Sequence, residues 1–133
     1  FMKSKKLSPD RSQLKILVES IGGEPDLQRI LLAFYSRMKS DPMIGYFFEG
    51  KPIAEIAAKQ GEFILMAAGV LQKFEGRGPA SAHTNLPPIY EGHFDRRLVL
   101  LREILLKEGL TPAQIETWLQ FEESFRAMVV SRN

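Results

Sequence analysis

Apolar residues recur every three or four positions along most of the chain, the spacing of helices that bury one face. Leu14, Ile16, Leu17 and Ile21 predict a short first helix, with cap chemistry from Ser8, Pro9 and Asp10 and a stop at Gly22 and Gly23. A second helix begins near Asp26 and buries Leu27, Ile30, Leu31, Phe34 and Met38. Tyr35 shares that face, so its hydroxyl enters the interior and needs a partner. Asp41-Pro42 breaks the helix, and Tyr46-Phe47-Phe48 makes a brief turn whose aromatics plug one end of the core. Pro52 opens a third helix with Ile53, Ile56, Ala57, Gln60, Phe63, Ile64 and Ala67 inward. Gln60 interrupts this stripe. An unpaired buried amide costs on the order of 1 to 3 kcal/mol, so Gln60 calls for a backbone carbonyl, a water, a ligand or the Tyr35 hydroxyl.

Residues 69–78 read as a loop rich in glycine and charge, and Gly76-Arg77-Gly78 lacks the strand before it and the Gly-Lys-Ser/Thr ending of a phosphate cradle. Residues 78–89 carry His83. Pro79 starts a single helical turn there and Pro87-Pro88 ends it, so the segment presents one side chain. A long helix spans 91–107 with Phe94, Leu98, Leu101 and Leu105 on one face and Gly109 at its end. Arg97 borders that face. Thr111 and Pro112 cap a final helix with Ile115, Trp118, Leu119 and Phe125 inward, Phe121 and Met128 beside them, and Glu122 interrupting the face. Strand alternation and internal repeats are missing, which makes the class all-α.

With 133 residues, 44% hydrophobic and 26% charged, the chain is long enough to bury a real core and leave an apolar pocket. The division expected is a basic extension and short helix over 1–20, then a single domain over 21–130. Eighteen basic residues are offset by 16 acidic ones, a balance that argues against nucleic acid as a partner. Lys3, Lys5 and Lys6 form the only basic run and read as a solvated tail. No apolar run is long enough for stable membrane insertion, the start of the chain lacks the long apolar stretch of a secretory signal, and cysteine is absent. These features point to a cytoplasmic protein. Only His83 and His93 could offer imidazole, too few ligands for a structural zinc site. His83 is then either an ordinary surface or hydrogen-bonded histidine, or a metal ligand whose metal arrives with most of its coordination supplied by a cofactor, as haem iron does.

The combination Ile21-Gly22-Gly23, Phe34-Tyr35, Phe47-Phe48-Glu49-Gly50, Lys59-Gln60 with Glu62-Phe63, His83 and His93-Phe94 resembles the truncated haemoglobins, most closely group I, from Ile21 to about Phe125. The resemblance implies a two-on-two helical sandwich holding haem b, with His83 as proximal iron ligand. It implies Tyr35 and Gln60 as distal donors to a diatomic ligand, with Ile56 and Phe34 beside them. Ile56 stands where other globins place a distal histidine. Phe48 matches the aromatic wedged against the porphyrin, and Lys59, Phe63, Ile89 and Leu98 complete the haem contacts. Residues 86–97 are more similar to groups II and III, where the position of Arg97 is usually tryptophan. Arg97 could reach Glu122 or a haem propionate. Ile64 replaces an aromatic that often gates a ligand tunnel in group I, so gating is not carried over.

The resemblance implies reversible binding of O2, NO or CO, as carrier or sensor. An alternative is an enzyme on the same site, a nitric oxide dioxygenase or a nitrite or peroxide reductant served by an external reductase. A haem-free helical interaction domain needs only the amphipathic faces. Hydrolase chemistry lacks an acidic third member for Ser81 and His83.

Overall fold

The computed structural model describes residues 8–72 and 86–131. The described residues are helical without strands: α1 (Arg11–Ile21), α2 (Glu24–Lys39), a 3-10 turn (Gly45–Phe48), α3 (Ile53–Ala67), α4 (Glu91–Lys107), α5 (Pro112–Glu123) and a one-turn α6 (Arg126–Val129). No helix among them is long and apolar enough to cross a membrane. The basic run at 3–6, most of the loop beyond Gly69 and the His83 turn lie outside the described residues.

Local chemistry sets the helix ends. Asp10 caps α1 by accepting from the Gln13 backbone N–H, while the Gln13 side chain accepts from the N–H of Asp10. Thr111 and Gln114 repeat this exchange at α5, where Pro112 takes the first helical position. Gly22 and Gly23 turn the corner from α1 to α2 with φ of 117° and 82°, angles that side chains with a β-carbon resist.

α2 is the hub. It packs on α3, α4, α1 and the 3-10 turn, while α4 pairs with α5 and α1 closes over α2, α3 and α5. The α2–α3 pair thus packs on the α4–α5 pair through the contact of α2 with α4. Leu27, Ile30, Leu31, Phe34, Tyr35 and Met38 of α2 are all buried, as the periodicity predicts. Leu65, Leu100, Leu101, Leu105 and Trp118 complete the interior. The buried Trp118 indole N–H has no hydrogen-bond partner among the described residues, and the ring lines a small apolar void with Leu14, Leu17, Leu27 and Ile64.

Several faces are rotated from the expected ones. In α1 Val18 is buried and Ile16 is 64% exposed, because Leu14, Leu17 and Val18 share one side of the helix and Ile16 does not. Phe47 is fully buried at the 3-10 turn and Phe48 packs half-buried against the core, while Tyr46 lies outside and stacks on Phe47 at 4.3 Å. In α4 Leu100 and Ile104 are buried and Leu98 is only half-buried. The last helix is divided at Ser124, whose hydroxyl donates to the Phe121 carbonyl and competes with the helical ladder. Phe125 is left half-buried and Met128 exposed.

Candidate functional site

α2 brings Phe34 and Tyr35 to the interior, where the Tyr35 ring meets the edge of Phe48 at 5.8 Å and the Phe34 ring at 5.4 Å. The Tyr35 hydroxyl accepts from Arg97 Nη2 at 3.4 Å, and its own proton has no acceptor among the described residues. Arg97 Nε donates to Glu122 Oε1 at 2.8 Å, Nη1 reaches Met38 Sδ at 3.8 Å, and the guanidinium lies 5.0 Å from the Phe34 ring centre. Burial works against the Arg97 charge, but attraction to Glu122 and Tyr35 outweighs it and holds the pKa above its ordinary value. Of the two partners open to Arg97 in the sequence, the fold supplies Glu122.

α3 splits the stripe that the periodicity assigns to a single inner face. Ala57, Gly61, Ile64 and Leu65 are fully buried. The Gln28 side-chain amide lies over Gly61, so this face of α3 packs against α2 and a larger residue there would displace the Gln28 side chain. Ile53, Ile56, Gln60, Phe63 and Ala67 follow each other at helical spacing one step around, and all five are half-buried. The Gln60 amide has no hydrogen-bond partner among the described residues. Phe63 closes one end of the stripe against Phe125 at 5.4 Å and Phe121 at 6.1 Å. Lys59 is exposed at the rim and pairs with Glu62 at 3.6 Å.

Ile89 is buried and pinned to the end of the chain, donating to Ser131 Oγ and accepting from the Ser131 N–H at 2.7 Å. Leu98 stands apart, lining a groove between α4 and α5 with Val99, Leu106 and Leu119. His83 lies outside the described residues. His93 is committed to structure: its Nδ1 accepts from the Tyr90 N–H at 2.9 Å and its ring packs on Phe47 at 5.2 Å. The described residues hold no group of three His, Asp or Glu that could bind a bare metal ion.

The pairing of Asp41 has no counterpart in the sequence reading. Its buried carboxylate accepts from Arg96 Nη2 at 2.7 Å and from the N–H groups of Met43 and Ile44, tying the end of α2 to α4. Arg96 first, and then the two N–H groups, hold its pKa at about 2 against the pull of burial. The only signal in the sequence is an aspartate at a helix break with two arginines far downstream.

Residues 16–131 match the family described as bacterial-like globin. The chain belongs to that family. It is 32% identical to the group 1 truncated haemoglobin of Synechocystis over 104 residues, 73% of this chain and 84% of the relative. It is 27% identical to the group 1 truncated haemoglobin LI410 of Chlamydomonas moewusii over 100 residues, 74% of this chain but only 58% of that longer protein. The fold is similar to that of the 2/2 haemoglobin of a Synechococcus species, solved in the cyanomet state with covalently attached haem. The TM-score is 0.79 at 24% identity, over 87% of this chain and 98% of the other. The truncated globin sandwich is therefore the architecture of this chain, and membership of the globins implies haem.

The residues of this globin fit such a group. The α3 stripe is an apolar wall long enough for a flat macrocycle, and it carries a single amide with uncommitted donors. Tyr35 adds a second uncommitted donor from the neighbouring helix.

Proposed function

We propose that this globin holds haem b along the α3 stripe and reversibly binds O2 and other small diatomic ligands. The observation that carries this reading is a pair of polar side chains, the Tyr35 hydroxyl and the Gln60 amide, whose donor hydrogens are unspent among the described residues although both sit among apolar neighbours. When bound, haem supplies an iron with an open position for O2, CO or NO.

The work of the chain is to hold and to discriminate. His83 is the proximal ligand, since the other histidine, His93, is committed to the start of α4 through Tyr90. Phe48, Ile56 and Phe63 line the macrocycle and exclude water, with Ile89 and Lys59 as further contacts, whereas Leu98 faces the α4–α5 groove. Tyr35 and Gln60 donate to the ligand, which favours a polarised diatomic such as O2 over the less polar CO. Phe34 packs beside Tyr35 and restricts its ring.

An absorption spectrum of the purified protein with added haem, before and after dithionite and CO, tests the reading. A Soret band that shifts with each addition is expected. In His83→Gly that band should be lost or altered and restored by free imidazole. An unaltered band in His83→Gly, or a chain that takes up no haem, overturns the proposal.

A further inference from the structure

A buried ion pair such as Arg97–Glu122 is a poor way to stabilise a helical core. Side chains of similar volume without charge usually serve as well, because the desolvation of both ions offsets their attraction. Glu122 is only 5% exposed and the Arg97 side chain 20%, so both are largely withdrawn from water. The guanidinium is also aimed. Glu122 fixes Nε, Met38 and Phe34 pack against the fork, and Nη2 is left directed at the Tyr35 oxygen. Arginine can only donate. One lone pair of the Tyr35 oxygen is therefore taken, and the hydroxyl proton cannot turn toward Arg97.

We propose that Arg97, clamped by Glu122, is a positioning residue that commits the Tyr35 proton to a ligand held beside it. The inference rests on the reading of Tyr35 as a ligand-facing donor. The Arg97 to Tyr35 contact of 3.4 Å is long for a hydrogen bond, which leaves it room to tighten when the Tyr35 proton is drawn onto an acceptor. A donor onto the same oxygen polarises the O–H and strengthens the bond that it makes in turn. Arg97 thus acts on the ligand through Tyr35, without a contact of its own.

A double-mutant cycle on the haem-loaded protein tests this, with O2 and CO dissociation rates and the C–O stretch of the CO complex as readouts. Tyr35→Phe should raise the O2 rate by about tenfold or more, as loss of a strong hydrogen bond does. Arg97→Met should raise it about three- to tenfold, leave the CO rate within about twofold, and move the C–O stretch toward its value in Tyr35→Phe. In the Tyr35→Phe background, Arg97→Met should then change the O2 rate less than about twofold. Because Arg97→Met strands Glu122, the volume-matched pair Arg97→Met with Glu122→Leu is run beside it and should give the same pattern. Equal effects of Arg97→Met with and without the Tyr35 hydroxyl, or no effect where Tyr35→Phe has a large one, overturn the role of Arg97 alone. An unchanged O2 rate in Tyr35→Phe itself overturns the distal reading beneath it.

Discussion

Where α2 meets α4 and α5, the buried carboxylates of Asp41 and Glu122 each have an arginine. Along the half-buried stripe of α3, Gln60 has no partner among the described residues. The first region is satisfied among the described residues, and its polar groups tie α4 to α5 and to the end of α2. The second presents a wall of Ile53, Ile56, Phe63 and Ala67 around an unspent amide, the half-buried surface that the proposed haem would cover. A polar side chain that the fold satisfies speaks for the fold, whereas one left open on an apolar face speaks for a ligand. Tyr35 stands between the two, since its oxygen is engaged by Arg97 and its proton is not.

Breaking the completed region should cost most. Asp41→Ala removes the partner of Arg96 and Arg37, both able to reach water, and leaves two backbone N–H groups without their acceptor, and should lower the unfolding free energy by roughly 2 kcal/mol in a denaturant titration. A loss under about 1 kcal/mol there would mean the junction is held by apolar packing alone.

Acid probes the same carboxylate. Its folded pKa of about 2 lies below its ordinary 3.8, so the folded state binds fewer protons in that interval. The stability it contributes, roughly 2 kcal/mol, is complete above about pH 4 and disappears as the pH falls through 2. Arg96→Met should flatten that stretch of the stability-against-pH curve, since Arg96 is the largest cause of the shift.

The open region should answer differently. Gln60→Leu should leave the unfolding free energy of the haem-free protein within about 0.5 kcal/mol, while raising the O2 dissociation rate of the loaded protein several-fold, about what one hydrogen bond carries. A large loss of stability would show that the amide belongs to the fold after all. Lys59→Gln should have the smallest effect, a few tenths of a kcal/mol, because the Lys59–Glu62 pair is exposed to solvent. If salt moves its stability no more than that of the parent, the pair contributes nothing measurable.

Much of this was legible from short-range rules. The inward face of α2 from Leu27 to Met38, the diglycine corner, the Thr111-Pro112 cap and the arrest of α4 before Gly109 all follow from residues within a turn of one another. The oddity of Tyr35, Gln60 and Arg97 was legible too, because a polar group on an apolar stripe is visible in one dimension. What each polar group meets was not. The Arg97 to Glu122 bond joins residues 25 positions apart, and Asp41 to Arg96 spans 55, beyond the reach of any helical period.

The amino-acid order by itself determined where most helices begin and end and which residues of α2 turn inward, since caps, glycines and a spacing near 3.6 act locally. Only the tertiary structure decided that Ala57, Gly61, Ile64 and Leu65 meet neighbouring helices while Ile53, Ile56, Gln60 and Phe63 stay half-open. An apolar stripe has the same period whether helix, solvent or ligand covers it, and the packing of α2 onto the Gly61 side of α3 chose between them.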